Sequence, residues 1–478
     1  VSYQFQRDHI QQAGSLPESM LAEDPSRNYT TGDFFEPHLD FLTLNAHQQL
    51  APGLSLAGNA FLRMLSAEQF NSSLLDANTR VFDDTTSYGA ALQLDHRAAL
   101  GAFRNQATAG AEATWNQVHV LVGQEPNAAS PNPVAVAGDF HDTQVGLAAW
   151  VQDSLQVAEG PLAGLGLRAA LRLDRISHDI EDRTPTSPGA ASGTASYSIW
   201  VPAVGLTWAF LPEWLASVSW SQGTRAPAFL ELTCADPSAP CKGLQAGVAP
   251  DATFTYLRPV RSSALEAGVA GSPLQGVTAS ANAFLVDLHD DIYSVSGATP
   301  NTVYFQNVGT TRREGVELAL RARRGVLEAV GSYAFTLATF RNDLILGTPR
   351  TQTGTEQVRA GDRLPLVPEH LLDVEVHVRP LDWISLYAGA SFVGSRHFRG
   401  DEANEAPELP SHWLVRAGAE GRWGRWSATL RAQNLLDASY QTFGTFARDG
   451  RQPGQPIVPF LTPGRPLGVL LGIRWALE

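Results

Sequence analysis

The sequence predicts an all-β fold, namely a transmembrane antiparallel β-barrel with short turns at one end and long loops at the other. Two observations favour this architecture. Apolar and polar residues alternate with a period of two in segments along the whole chain, which is typical of strands with one apolar and one wet face. The connections between these segments alternate between short turns and long polar stretches, as they do in outer-membrane barrels.

The alternation is clearest at residues 214–220, 372–378 and 426–432 and in the last segment of the chain. One face of that last segment carries Leu467, Val469, Leu471, Ile473, Trp475 and Leu477. A soluble β-sandwich would show the same period, so alternation alone leaves both folds open. A helical membrane protein is excluded, because no stretch approaches the roughly 18 consecutive apolar residues of a membrane helix.

The lengths of the connections distinguish the barrel from the sandwich. Short turns are predicted at residues 211–213, 324–325, 379–382 and 422–425. Long segments are predicted at residues 12–37, 119–143, 177–196, 221–259, 340–369, 394–412 and 440–462. A sandwich has no reason to keep its long loops at one end, whereas barrels pair short periplasmic turns with long extracellular loops. The pattern gives about 18 strands, an even number, so the first strand near residues 1–10 runs outward.

Aromatic residues lie near the ends of several predicted strands. They include Trp214, Trp383, Trp426 and Trp475. Side chains of this kind form the girdles at the two membrane interfaces of a barrel, although each alone is more often ordinary packing.

Charge and motifs exclude several classes of function. The chain has 34 basic and 48 acidic residues and a net charge of -14, which argues against a nucleic-acid partner. It contains no nucleophile elbow, Walker loop or dinucleotide fingerprint. We therefore expect no enzymatic activity, no catalytic residue and no cofactor.

Two clusters contain residue types that bind metals. They are Asp139, His141 and Asp142, and His289, Asp290 and Asp291. Both clusters lie at or near predicted loops, where acidic and histidine side chains are usually solvated. We interpret them as loop residues and assign no metal site from the sequence.

The chain has two cysteines, Cys234 and Cys241, seven positions apart in a segment rich in proline and aspartate. This spacing suits a small disulfide loop in an oxidising compartment, and two free thiols are the alternative. A zinc site would need further ligands nearby, and the sequence offers none there.

Six motifs from residue 219 onward follow one another in a characteristic order. They read SWSQGTRAPAFLEL (219–232), FLVDLHDDIYSV (284–295), FQNVGTTRREGVEL (305–318), GDRLPLVPEH (361–370), RGDEAN (399–404) and QNLLDASYQTFGTF (433–446). Each motif alone is weak, but the collinear series resembles the barrel of TonB-dependent receptors. The segment GSLPESMLAED (14–24) also resembles one that follows the first barrel strands of iron-complex receptors in this family.

The resemblance implies that residues 1–478 form the C-terminal portion of a TonB-dependent receptor β-barrel domain. The family's barrel has about 22 strands closed around a plug. The N-terminal plug and about four strands would therefore precede Val1, and the TonB box is likewise missing from this chain.

The motif residues are expected to have structural roles. They are Arg225, Pro227, Glu231, Asn307, Gly315, Glu317, Asn434, Asp437 and Tyr440. Pro227 would fix the backbone where a strand turns into a loop, and an Arg225–Glu231 pair would anchor that loop. Gly315 and Glu317 would open an inward-facing polar row that continues with Arg321 and Arg323. The substrate-binding residues remain unknown at this level, because selectivity resides in irregular loops.

The resemblance also implies a function. We expect an outer-membrane active-transport receptor for a scarce solute, first of all a ferric siderophore or other iron chelate, energised through TonB. Its partners would be outer-membrane lipid, the TonB-type energy-transducing complex and the chelate, and the protein would be a monomer in a Gram-negative outer membrane. The alternative is a plug-free diffusion porin, since about 18 strands fall within the porin range. An outer-membrane enzyme or adhesin would need a catalytic dyad or a large appended domain, and the sequence shows neither.

Overall fold

The computed structural model describes residues 1–242, 254–297, 302–351 and 353–476. The N-terminal part forms β1 (Ser2–Arg7), β2 (Ile10–Gln11), β3 (Leu16–Pro17), α1 (Glu18–Glu23), β4 (Phe34–Ala51), β5 (Leu54–Asn71), β6 (Asn78–Leu100), β7 (Phe103–Glu125), β8 (Val136–Val157) and β9 (Leu165–Asp182). The middle forms β10 (Gly193–Leu211), β11 (Trp214–Arg225), α2 (Phe229–Thr233), β12 (Cys241–Lys242), β13 (Val260–Leu274), β14 (Val277–His289), β15 (Ile292–Ser296), β16 (Thr302–Asn307), β17 (Thr311–Arg324) and β18 (Leu327–Phe340). The C-terminal part forms β19 (Leu344–Gly347), β20 (Thr355–Val358), β21 (His370–Leu381), β22 (Ile384–Val393), β23 (His412–Trp423), β24 (Trp426–Gln433), β25 (Gln441–Arg448), β26 (Ile457–Pro463) and β27 (Gly468–Trp475).

One antiparallel sheet forms the wall of the molecule. Its strands follow one another as β1, β4 to β11, β13, β14, β17, β18, β21 to β24 and β27, and β2 continues β1 along the same edge of β4. These are 18 strand positions, which confirms the predicted architecture and number. Every described wall strand pairs with its neighbour in sequence, as hairpin connections require.

Short hairpin turns join the wall strands at one end. The turns predicted around residues 211–213, 324–325, 379–382 and 422–425 all lie there. Gly325 and Gly424 both have φ of 58°, a left-handed conformation that tight hairpin turns require and that glycine adopts without strain.

Several wall strands are longer than the sequence predicted at the long-loop end. β6 and β7 each contain 23 residues, whereas about 9–11 suffice to cross a membrane. The prediction that residues 119–143 form a loop was therefore wrong over most of its length, because β7 continues to Glu125 and β8 begins at Val136. The predicted loop 177–196 is likewise shortened, to the residues between Asp182 and Gly193. Cross-strand hydrogen bonds extend both hairpins beyond the apolar band.

The two faces of the wall differ in chemistry. On β17, Val316, Leu318 and Leu320 form an exposed apolar row. The charged residues Glu317, Arg321 and Arg323 lie on the opposite face of the same strand. The apolar row suits contact with lipid, so the charged face is the inner one. Leu477, which the sequence places on the apolar face of the last strand, lies outside the described residues.

The wall has two edges in the part of the chain that the structure describes. All six residues of β1 are exposed, and so are seven of the eight in β27. No pairing between β1 and β27 occurs among the described residues.

Three small sheets lie at the long-loop end, which faces outward. They are β12–β16–β15, β19–β20 and β25–β26–β3. Most buried apolar side chains are found at this end, where the outer parts of the wall strands pack against the loop segments, in clusters that centre on Phe140 and Leu232, on Phe340 and Leu346, and on Phe398. Among the described residues, no helix is long and apolar enough to cross a membrane.

The alternation of faces predicts opposite responses at two adjacent positions of β24. Leu430 is on the exposed apolar face, while Thr429 is on the inner face opposite Glu420. We expect Leu430→Arg to cost about 2–4 kcal/mol if it sits near the membrane midplane, and Thr429→Arg to cost little. Folding into lipid bilayers, followed by urea titration, measures both. Equal losses at the two positions would contradict the assignment of the faces.

Candidate functional site

The first motif shapes the point where β11 leaves the wall. Arg225 is the last residue of β11, and its Nη1 donates to Glu231 Oε2 at 2.6 Å. The same carboxylate oxygen accepts the backbone N–H of Ala228 at 2.8 Å, which caps the start of α2. Pro227 is buried immediately before this helix. The motif thus ends a strand and starts a helix, and Glu231 links the two.

Cys234 and Cys241 lie close to this helix and form a disulfide, with Cα atoms 5.6 Å apart. Both residues are buried. The backbone oxygen of Cys234 accepts the N–H of Phe305 at 2.8 Å, and Cys241 pairs with Val303. The disulfide therefore holds α2 against the small sheet β12–β16–β15 at the external end.

Asn307 joins three segments through its side chain. Its Nδ2 donates to the backbone oxygens of Asp290 at 2.7 Å and Arg258 at 3.0 Å, and its Oδ1 accepts the N–H of Arg258 at 3.0 Å. Both amide hydrogens and the amide oxygen therefore have backbone partners nearby. Asn307 thus links the end of β16 to the segment immediately before β13.

Gly315 permits a close approach of chains on the inner face of β17. A Cβ atom at this position would lie 2.0 Å from the backbone oxygen of Phe335 and 2.9 Å from the ring of Phe284. Glu317, two residues further on, is paired in register with Asn282 and Ala334. The motif has glycine at this position because the neighbouring strands leave no room for a side chain. Glu317 contributes to the polar inner face.

The motif that contains Asn434 holds the start of the final strand. Asn434 adopts a φ of 50°, and its Nδ2 donates to the backbone oxygens of Ala438 and Arg465, at 3.0 Å in each case. Asp437 Oδ1 accepts the N–H of Leu467 at 2.9 Å, and the Tyr440 hydroxyl accepts that of Arg465 at 3.2 Å. The three motif side chains thereby bind one short segment before β27 and set its register.

The inner face of the wall is polar. Arg416 binds Asp373 and Glu375 at 2.8 Å each, and Arg321 binds Glu328 at 2.5 Å. A cavity of about 260 Å³ opens on the inner face of β4 to β7. Its polar lining comes from Thr43, Asn45, Asn59, Glu112 and Thr114. This surface can accommodate hydrated polar groups.

A network of charges, most of them buried, lies under the small sheets of the external end. Arg350 contacts Asp401, Glu356 and Glu405 at 3.2, 3.3 and 2.5 Å, and Tyr293 donates its hydroxyl proton to Glu402 at 3.1 Å. Asp401 and Glu402 belong to the RGDEAN motif, whose role the sequence left open. Arg350 and Glu356 were missed, because neither a motif nor an alternating pattern marks their segment.

Two carboxyl groups of this network are close together and outside the membrane-spanning strands. Glu356 Oε1 accepts the backbone N–H of Glu402 at 2.7 Å. Burial, reinforced by the neighbouring Glu402 carboxyl, raises the pKa of Glu356 to about 8. Burial also raises the pKa of Glu402. The pair therefore keeps a proton at neutral pH.

The residues of the two sequence clusters that contain metal-binding residue types do not stay together in the structure. Asp142 points to the inner side, where it binds the buried His178 at 2.8 Å. Asp290 binds Arg258 at 2.9 Å, and Asp291 accepts the Thr311 hydroxyl at 2.7 Å. Asp139 and His141 lie within β8 and not in a loop, and His119 of β7 joins them on the outer face. Sequence reasoning missed His119 because it comes from the neighbouring strand.

The close approach at Gly315 gives a test with an internal control. Gly315→Ala forces the new methyl group against backbone, so we expect a loss of about 1–3 kcal/mol in unfolding free energy. Gly331→Ala on the paired strand β18 meets nothing closer than 3.9 Å and should be tolerated. Urea unfolding in lipid measures both. A tolerated Gly315→Ala would show that the strand separation adjusts freely.

The buried carboxyl pair predicts a pH dependence of the external end. Because the folded-state pKa of Glu356 exceeds its ordinary value of 4.5, its stabilising contribution is complete below pH 4.5 and is lost as the pH rises to about 8. Hydrogen exchange in β19 and β20, corrected for intrinsic rates, should show protection falling across this range. Glu356→Gln should flatten the profile, whereas Glu405→Gln, at an exposed partner of Arg350, should not. Identical profiles for Glu356→Gln and the unchanged protein would contradict the assignment.

Comparison with curated proteins identifies a related receptor. Over 222 residues the chain is 25% identical to the catecholate siderophore receptor Fiu of Escherichia coli strain K12. The match covers 46% of this chain and 27% of that receptor, so the chain spans only part of its relative.

Solved structures share the fold over nearly the whole chain. The closed form of Fiu from Escherichia coli K12 has a TM-score of 0.72 at 16% identity and covers 99% of this chain and 71% of the other. The ferric citrate transporter FecA has a TM-score of 0.76 at 15% identity, with 99% and 66% covered. The siderophore receptor PiuA from Acinetobacter baumannii has a TM-score of 0.75 at 15% identity, with 99% and 71% covered.

The family assignment rests on a broader match. The model described as TonB dependent receptor-like, beta-barrel matches residues 3–435. This range includes the wall from β1 to β24 and five of the six motifs in full. The wall thus corresponds to the β-barrel of that family. The chain therefore belongs to the TonB-dependent receptors, a family of outer-membrane transport receptors.

Proposed function

We propose that the chain is the barrel wall of a receptor that takes up a ferric siderophore or another iron chelate, energised through TonB. The named relatives support this class of solute, since they are a catecholate siderophore receptor, a ferric citrate transporter and a siderophore receptor. The protein would act as a monomer in outer-membrane lipid. Its role would be binding and transport, without catalysis and without a nucleic-acid partner.

The observation that carries the proposal is the interlocked external end. Ser15 contacts Thr462 at 2.8 Å, and the Arg451 guanidinium lies 5.4 Å from the ring centre of Tyr29, so the two ends of the chain meet there. With the buried network around Arg350, these contacts join the described parts of several long segments to one another. A preordered surface reduces the entropy lost when a bulky solute binds. Such a surface suits a receptor.

We also propose that this chain is the C-terminal portion of a larger barrel domain. The exposed edges of β1 and β27 support this, because unpaired backbone groups are costly in hydrocarbon. About four further strands would bring the wall to about 22, enclosing a plug. The TonB-type complex would act through that further region.

The second candidate is a plug-free diffusion porin. The count of 18 wall positions favours it, since porins of this size exist. A porin, however, needs a closed wall, and the described strands leave β1 and β27 unpaired with each other. Energy dependence and chelate binding distinguish the two candidates.

Uptake of radioactive ferric chelates by cells lacking their own receptors tests the proposal. Cells that produce the full-length protein should accumulate a ferric catecholate or ferric citrate, and a protonophore or loss of TonB should abolish accumulation. The Cys234→Ser, Cys241→Ser double variant should lower chelate affinity more than wall stability, because the disulfide closes only a short external loop. Energy-independent entry of unrelated small solutes, with no chelate binding, would instead support the porin.

A further inference from the structure

Three side chains on the outer face of the wall have the composition of a transition-metal site. His119 and His141 are directly opposite each other in the register of β7 and β8, and Asp139 is the next residue on the same face of β8. The carboxylate and imidazole donors of these residues all lie within 4.8 Å of one another. Neither the family motifs nor the transport proposal uses this cluster.

The distances from the two imidazoles to Asp139 are close to the spacing that one ion requires. His119 Nε2 lies 3.0 Å from Asp139 Oδ1, and His141 Nε2 lies 3.6 Å from the same oxygen. Donors that bind one ion at about 2.1 Å are separated by about 3.0–3.4 Å in octahedral or tetrahedral geometry. The two imidazole rings stack with centroids 4.2 Å apart and an interplanar angle of 9°, and the Nε2 atoms of both rings lie near the Asp139 carboxylate.

The cluster is accessible from water, above the apolar band. On the outer face of β7 the band ends at Trp115, whose ring stacks on Tyr88 of β6 with centroids 5.8 Å apart. His119 follows four residues later, about 13 Å further toward the external end. The side chains of His119, Asp139 and His141 are 37%, 27% and 35% exposed. An ion can therefore reach them without crossing lipid or entering the barrel.

Charged neighbours modulate the site without preventing binding. Arg183 Nη1 lies 3.3 Å from His141 Nε2, where a bound cation would otherwise sit. Its side chain is 52% exposed and also binds Glu181 at 2.7 Å, so it keeps a charged partner when a metal ion displaces it from His141. Asp84 of β6, paired in register with His119, adds a further negative charge nearby.

We propose that His119, Asp139 and His141 bind one borderline divalent transition-metal ion, such as Zn²⁺, Ni²⁺ or Cu²⁺, on the outer wall. Two imidazoles and one carboxylate suit these metals and not Mg²⁺ or Ca²⁺, which prefer all-oxygen sites. The ion cross-links β7 and β8 where their hairpin rises beyond the membrane. The remaining coordination positions face water.

Metal titration of the untagged full-length protein in detergent tests the proposal, and no chelate is needed. One equivalent of Zn²⁺ should bind, and Cu²⁺ should bind more tightly, in the order expected for nitrogen and oxygen ligands. His119→Ala and His141→Ala should each abolish that equivalent, whereas His96→Ala, at an exposed histidine near the opposite end of β6, should retain it. Arg183→Ala should increase the affinity several-fold, because the competing cation is removed.

Two further measurements separate metal binding from a merely structural role. The electron paramagnetic resonance spectrum of bound Cu²⁺ should show two nitrogen ligands, and one in His141→Ala at high metal concentration. Zn²⁺ should slow hydrogen exchange in residues 117–125 and 136–143 of the unchanged protein but not of His119→Ala. Equal metal stoichiometry in the unchanged protein and both histidine variants would overturn the proposal, as would binding of Mg²⁺ with the same affinity as Zn²⁺. Neither result would bear on chelate uptake.

Discussion

The backbone hydrogen bond in hydrocarbon is the constraint on which this structure depends. A strand that crosses a membrane has no water to satisfy its N–H and C=O groups, so each must pair with a neighbouring strand. The wall meets this requirement from β4 to β24 by pairing every strand with its neighbours in an unbroken antiparallel ladder. Continuous pairing in turn requires tight turns such as those at Gly325 and Gly424, and it imposes the alternation of apolar and charged faces.

Beyond the lipid the same constraint relaxes, and the chain changes character. Within the apolar band the wall is one layer thick and buries few side chains, since its apolar face contacts lipid. At the external end, water can satisfy backbone groups, so segments between strands are free to form separate sheets around apolar clusters such as those of Phe340 and Phe398. Burial there also isolates charges, and the Glu356–Glu402 pair shows its effect on protonation. Rigidity at this end comes from packing as well as from the ladder.

The family motifs occur where these two regions meet. Arg225 and Glu231 join the end of a wall strand to a helix, Asn307 fastens an external strand to the wall, and Asn434 fixes the segment before the last strand. Both asparagines bind nearby backbone groups with their side-chain amides, and Glu231 accepts a backbone N–H. These connections are recognisable in the sequence because their geometry permits few residue types. The surface that a solute would contact can be built from many residue types. This difference explains why motifs identify the family more readily than its solute.

The amino-acid sequence by itself determined the wall. Its period of two, the turn residues and the unequal connection lengths are local properties, and they suffice for an antiparallel barrel of 18 visible strands. Only the tertiary structure determined the arrangement of the external end, because contacts there join residues that are far apart in the chain. Arg350 meets Asp401 from another loop, the hairpins of β6 to β8 continue past the predicted strand ends, and Asp139 and Asp142 fall on opposite faces of one strand. His119 and His141 come together only because the register of β7 and β8 places them opposite each other, and no property of either strand alone specifies that register.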